Sequence, residues 1–304
     1  PRRVQMLQTA DEGEEKMKLR TISIYAVATA LAMAATAYVV IWLLGERIIS
    51  RKYQSPWTPF AHSTDSLVVS EGKRLAAVAG CSGCHNDDLN GGLFGESPFI
   101  YRSVTANLPR LAMTYTNEDF ARAIRHGIKK NKRSVIGMPS PAFYNMRDED
   151  LAAIISYIRT MPDKGAKLPT NELWILGRLE VSQGLYPPEA SQIDHFKKRR
   201  VFDFADPVQH GAYIAAISCA ECHGLAFKGD PYAAGAPGAP PDLVVASGYE
   251  LEQFRHLMRT GEPVSGRDLR LMDDVARDRF VSFTDAEIDA LHSFLVDRAQ
   301  HLNE

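Results

Sequence analysis

The sequence predicts an all-α protein, built from an apolar amino-terminal helix followed by two copies of one helical unit. Three observations predict it. Residues 21–44 carry no charge, the pattern C-x-x-C-H occurs twice, and the stretches that come after the two occurrences match one another at a nearly constant offset.

The apolar segment reads TISIYAVATALAMAATAYVVIWLL. As a helix it would run for about 36 Å, enough to cross the hydrocarbon core of a bilayer. A cleaved signal peptide would have a shorter apolar region, about 7 to 15 residues, with a small-x-small cleavage pattern at its outer end. A retained anchor is therefore expected, with Tyr25, Tyr38 and Trp42 near the two interfaces. Five basic residues precede it (Arg2, Arg3, Lys16, Lys18, Arg20) and three come closely after it (Arg47, Arg51, Lys52), a bias that makes residues 1–20 the cytoplasmic tail.

The whole chain, 304 residues with 45% hydrophobic content, is long enough for two ordinary domains with real cores. The formal net charge is −2, so no global field favours nucleic acid or another polyanion. No catalytic carboxylate pair or nucleophile–base arrangement stands out, and no small-molecule substrate is expected.

The four cysteines all lie in the two C-x-x-C-H patterns, CSGCH with Cys81, Cys84 and His85, and CAECH with Cys219, Cys222 and His223. The chain's own Cys and His frequencies give on the order of 0.002 chance occurrences of such a pattern, so two are not accidental. Haem c needs two thiols placed to add across its vinyl groups and an imidazole fixed just beyond them to reach the iron from one face. Each motif supplies all three, so two covalently bound haem c groups are expected, with His85 and His223 as proximal iron ligands. A thioredoxin-like dithiol would want a single C-x-x-C in a βαβ context. A four-thiolate zinc site would have to bring together pairs in what read as separate domains. Structural disulfides would leave the trailing histidines unexplained.

The repeat points to the opposite ligands. YTNEDFARAIRHGI at 115–128 lies against YELEQFRHLMRTGE at 249–262, so that Tyr115 matches Tyr249, Phe120 matches Phe254, Arg125 matches Arg259 and Gly127 matches Gly261. The same offset of 134 carries Met138 in VIGMPSP onto Met272 in LRLMDDV, both on stretches that read as loop between two helices. A thioether there would complete His/Met coordination and raise the reduction potential relative to two nitrogen ligands. Rivals fail the offset: Met146 falls on Phe280 and His126 on Thr260, while Met258 sits in a helical pattern beside Phe254 and reads as core. Each repeat closes with a third helix, RDEDLAAIISYIRTMP from 147 and FTDAEIDALHSFLVDRA from 283, the latter opened by a capping box of Thr284 and Glu287. The predicted order in each unit is thus helix, motif, long loop, helix, methionine loop, helix. Residues 163–203 form a connector with one short helix that straps one unit to the other, and its basic run FKKRR at 196–200 reads as solvated surface rather than a docking patch. The Gly/Pro/Ala-rich stretch at 230–243 reads as a loop over the second haem.

With CSGCH…MPSPAFYNMRDEDLAAIISYIRTMP and CAECHG…PDL…TG…M…FTDAEIDALHSFL in place, the chain resembles the class I cytochrome c family over residues 66–162 and 204–300. More narrowly, it resembles membrane-anchored dihaem cytochromes c, including the cytochrome subunits of periplasmic alcohol and aldehyde dehydrogenases. The resemblance implies two tandem class I cytochrome c domains, low-spin haem, and His85/Met138 and His223/Met272 as axial pairs. Arg125 and Arg259 are candidates to pair with haem propionates, since a guanidinium fork suits a carboxylate; a structural salt bridge is the competing role. The dehydrogenase subunits often carry three haems where this chain has two motifs.

The expected function is a single-electron relay between redox partner proteins in a membrane complex, not an enzyme in its own right. Haem attachment places both domains on the periplasmic side of the bacterial cytoplasmic membrane. The complex could be respiratory or photosynthetic, or built on a dehydrogenase. A dihaem peroxidase is the alternative, and it would need one open or displaceable axial position.

Overall fold

The computed structural model of the protein describes residues 2–165, 167–229 and 239–301, with side chains from residue 17. Helix α1 (Arg2–Ile49) contains the one span among the described residues that is long and apolar enough to cross a membrane, Met17–Ile49, with mean hydropathy 2.1. After it come α2 (Ser66–Val78), the short α3 (Cys81–His85), β1 (Gly92–Ser97), β2 (Tyr101–Thr105), α4 (Leu108–Ala112), α5 (Asn117–His126), α6 (Ser140–Phe143) and α7 (Asp148–Thr160). The connector holds β3 (Glu172–Leu173) and α8 (Ile175–Ser182). The remainder folds as α9 (Pro207–Ser218), α10 (Ala220–His223), α11 (Leu251–Thr260), α12 (Leu271–Asp278) and α13 (Asp285–Gln300).

The first half is organised by α2 crossing α7, and the second by α9 crossing α13. Both crossings are close enough that only glycine fits at the contact. A Cβ on Gly72 would lie 1.9 Å from the Ala153 carbonyl oxygen, and one on Gly211 would lie 1.9 Å from that of Ala290. Glycine in mid-helix costs helix stability, and here it lets two backbones touch. Caps fix where the crossing helices begin. Asp65 accepts the Leu67 N–H at 2.8 Å ahead of α2, Asp206 accepts the Val208 N–H at 2.9 Å ahead of α9, and the expected Thr284–Glu287 capping box opens α13.

The two crossings share one continuous core, which includes Leu75, Ile154 and Ile158 from the first half and Tyr213, Ile214, Ile288 and Leu291 from the second. Polar contacts run through the same junction. The buried Tyr213 donates its hydroxyl to Asp150, and the Arg74 guanidinium reaches both carboxylate oxygens of Glu287, at 2.8 and 3.0 Å, and the Ser282 carbonyl at 3.0 Å.

The all-α expectation needs correction. Among the described residues the fold is mostly helical but contains a three-stranded antiparallel sheet in the order β1–β2–β3, formed by a hairpin at 92–105 and a strand from the connector. The sequence GLFGESPFIYRSVT lacks clean alternation, and a bulge between Leu93 and Gly95 breaks the register, so the stretch reads as loop. Asn171 fixes the third strand by accepting the Val104 N–H at 2.6 Å and donating to its carbonyl at 2.7 Å.

The connector differs from the expected strap between units, since its described contacts lie largely on the first half and on α1. Arg178 of α8 pairs with Glu46 at 3.0 Å and stacks over the Trp42 ring at 3.7 Å, so α8 seats the apolar helix against the hairpin. Within the basic run, Arg199 is not solvated surface: it bonds the Met146 carbonyl at 2.9 Å and Asp148 at 2.8 Å.

Gly72→Ala and Gly211→Ala are each expected to cost about 1 to 3 kcal/mol by forcing a methyl into a backbone contact. Gly248→Ala, where a Cβ would meet nothing within 4 Å, serves as the control. Denaturant unfolding of the three variants checks this, and equal stabilities would contradict the crossing geometry.

Candidate haem sites

Each C-x-x-C-H motif occupies a short helical turn reached directly from a crossing helix. Gly80 at φ 71° lets the chain leave α2 and enter α3, so that Cys81 packs against the core with Cys84 and His85 on the same turn. In the second half α9 runs almost without interruption into α10, which holds Cys222 and His223. All four cysteines are free thiols. Burial pushes Cys81 up to about 12 and Cys84 to about 11, and raises Cys219 and Cys222 as well. Protonated thiols of this kind suit covalent tethering and argue against a redox-active dithiol, which needs a ready thiolate. Among the described residues no group of three or more His, Cys, Asp and Glu is placed to hold a metal ion.

The histidines share one geometry. His85 Nδ1 lies 2.8 Å from the Ala106 carbonyl, and His223 Nδ1 lies 2.8 Å from the Pro241 carbonyl. A carbonyl only accepts, so in both rings Nδ1 carries the proton and Nε2 keeps its lone pair. Burial lowers both imidazole pKa values, with the carbonyl hydrogen bond opposing, which favours the neutral rings. A metal-ligating histidine is commonly oriented by such a contact on its other ring nitrogen, so the arrangement would suit a ligand through Nε2.

The loops that deliver these carbonyls are also alike. Gly91 N–H donates to the His85 carbonyl at 2.9 Å, and Gly229 N–H to that of His223 at 3.0 Å. Leu108 N–H donates to Leu89 and Leu243 N–H to Phe227, both at 2.9 Å. Asn107 and Asp242, each one residue after the acceptor carbonyl, cap the next helical turn. The order ANL and PDL is visible in the sequence, but the acceptors are backbone atoms whose residues differ, Ala106 and Pro241, so residue type does not mark them. Part of the loop expected over the second haem, residues 230–238, lies outside the described residues.

Met138 and Met272 both pack, partly buried, against the core. Each comes after a helix closed by a left-handed glycine, Gly127 at φ 64° after α5 and Gly261 at φ 81° after α11. A Cβ on Gly127 would lie 3.3 Å from Ser140 Cβ, and one on Gly261 would lie 2.9 Å from Asp273 Cα, so each methionine segment is packed against its cap. The environments then differ. Met138 sits in a bend before α6, whereas Met272, expected on a loop, occupies the first turn of α12, entered through Arg270 at φ 57°. Of the rivals, Met146 and Met258 are buried in the core, and His126 pairs with His195 of the connector, Nδ1 to Nδ1, at 3.2 Å.

Arg125 and Arg259 close equivalent brackets. Arg125 reaches the Met146 carbonyl and Asp148, and Arg259 reaches the Phe280 carbonyl at 3.4 Å and Asp285 at 2.7 Å. Each ties the end of its middle helix to the start of its last one. Arg125 is buried, and its Nε has no hydrogen-bond partner among the described residues.

The donor set fits haem c: two unpaired thiols on one turn, an imidazole whose tautomer is fixed by a carbonyl, and a partly buried thioether. Comparison with known proteins agrees. Residues 69–162 match the cytochrome c family model. The chain is similar to the fructose dehydrogenase cytochrome subunit of Gluconobacter japonicus, 28% identical over 86% of this chain and 58% of that protein. It is also similar to the cytochrome c subunit of the quinone alcohol dehydrogenase of Gluconobacter oxydans, 28% identical over 61% of the chain and 43% of that protein. The gluconate 2-dehydrogenase cytochrome c subunit of Pantoea cypripedii is 27% identical over 52% and 38%. The chain thus spans about half the length of the curated relatives it matches.

One buried carboxylate stands beside the first methionine. Glu189 accepts the Gly137 N–H at 2.6 Å, while its Oε2 has no hydrogen-bond partner among the described residues. Burial pushes its pKa up to about 7 from the ordinary 4.5, with Lys129 opposing. Since the folded state holds this proton more tightly than the unfolded chain, the contribution is full below about pH 4.5. It is lost as pH rises through about 7, at up to about 1.4 kcal/mol per pH unit. Glu189→Gln is expected to flatten that part of the stability curve and to raise Tm at about pH 8. Thermal unfolding across this range measures it, and an unchanged slope would contradict the assignment.

Proposed function

Taking residues 69–162 as a cytochrome c domain, we propose that the chain is a dihaem electron-transfer subunit whose residues 204–300 form a second cytochrome c domain. The observation that carries this reading is the repeated histidine-to-carbonyl contact, at 2.8 Å in both halves, together with the matching loop hydrogen bonds around it. Cys81, Cys84 and His85 would hold one haem with Met138 opposite, and Cys219, Cys222 and His223 the other with Met272 opposite. Haem c supplies one-electron oxidation and reduction at iron. The chain's own part is to hold each imidazole in one tautomer, bury the thioethers, and keep water from both ligand faces. A propionate contact is proposed for the unpartnered Nε edge of Arg125; for Arg259 it rests on the repeat alone.

The names of the relatives support a role as electron acceptor or donor within a dehydrogenase complex, serving redox partner proteins rather than a substrate of its own. A membrane anchor at residues 21–44, with the haem domains on the periplasmic side, is part of the proposal. Exposed Phe99 and the half-buried Trp174 line the same groove as Tyr38 and Trp42 of α1, an aromatic cluster suited to a membrane interface.

The count of haems is the first test. Pyridine haemochrome analysis should give two haem c per chain, falling to one when Cys219 and Cys222 are both changed to alanine; one haem in the unaltered protein would overturn the reading. The ligands are tested separately. Met138→His and Met272→His should each lower one midpoint potential without releasing haem, and two unmoved potentials would show that the sixth ligands lie elsewhere.

A further inference from the structure

The two C-x-x-C-H turns meet, and one cation is held where they do. Arg279, just after α12, donates Nε–H to the carbonyl of Val78, the last residue of α2, at 2.8 Å. Its Nη2 reaches the Ile217 carbonyl, near the end of α9, at 3.5 Å. The guanidinium therefore bridges the carboxyl ends of the two helices that lead into the attachment turns, where the exposed carbonyl dipoles favour a cation. A Cβ on Gly80 would lie 2.6 Å from Arg279 Cζ, so the guanidinium packs directly on the backbone entering the first turn.

Its counter-ion comes from the second turn. Arg279 Nη1 is 3.1 Å from Glu221 Oε2, inside CAECH, and Glu221 Oε1 is 4.0 Å from Cys84 Sγ, inside CSGCH. The Arg279 side chain is 13% exposed, which sets this pair apart from a solvated surface bridge.

We propose that Arg279 is a positioning residue shared by the two haem sites, clamping the turns together through Glu221 and setting both reduction potentials at once. The inference rests on the two-haem reading above. A cation near both sites favours the reduced state of each, so its removal lowers both potentials, and removal of the paired carboxylate raises both.

Redox potentiometry on the full-length holoprotein in detergent, after haem counting, reads this out. Arg279→Gln should shift both midpoint potentials down, Glu221→Gln should shift both up, and Arg279→Lys, which keeps charge but not the fork, should hold the potentials while lowering Tm. Should Arg279→Gln not fold, Glu221→Gln carries the test alone. Two haems with potentials that stay in place, or a shift confined to one haem, or an Arg279→Lys protein whose potentials fall as far as the glutamine variant's, would each overturn the shared role. One haem per chain would overturn the two-haem reading and the shared role together.

Discussion

A contact between two backbones, possible only where a side chain is missing, fixes the placement of the C-x-x-C-H turn in each half. Gly72 lies on Ala153 and Gly211 on Ala290, and in both places the helix that carries the glycine leads into a C-x-x-C-H turn, through the left-handed Gly80 in the first half and almost without interruption in the second. Because backbone meets backbone, neither helix can slide or rotate without a clash. The position of the cysteines and the histidine relative to the last helix is set by that constraint rather than by flexible side-chain packing. The apolar surface of the two crossings then merges into one core, so the halves are not free to move independently as beads on a string.

On this frame a neutral histidine is held by the polypeptide itself. The imidazole proton goes to a backbone carbonyl in each half, and the loop that supplies it is tied back to the histidine's own carbonyl through a glycine N–H. Both the ring and the backbone of each histidine are thus committed before any partner is considered. Such preorganisation fits a protein that passes electrons, since a site that does not rearrange on changing charge responds quickly. The methionine side is built less uniformly. Both segments pack on a left-handed glycine cap, but one is a bend and the other helical, so the two methionines stand in different electrostatic surroundings.

How much of this is legible in the sequence depends on whether the information is carried by side-chain identity. The motifs, the paired methionines, the helices around Phe120 and Phe254 and the cap at Thr284 are spelled out in residues, and the two middle helices and the cap form where those residues put them. The hairpin is not, because two glycines and a bulge remove the alternation that marks a strand. Gly72 and Gly211 look like weak points in helices until the partner backbone is seen. The carbonyl acceptors carry no residue signature at all. Arg279 escapes notice because its partner Val78 is 201 residues away in the chain. Arg125 and Arg259 stand out as a matched pair, and each makes a bracket to a carboxylate, the structural salt bridge that competes with a propionate role.

The central claim is that both halves present a His/Met pair to iron. Near-infrared magnetic circular dichroism of the oxidised full-length protein reads axial ligands directly. The account predicts methionine ligation at both haems with no high-spin component; a high-spin fraction, or a bis-histidine haem, would contradict it.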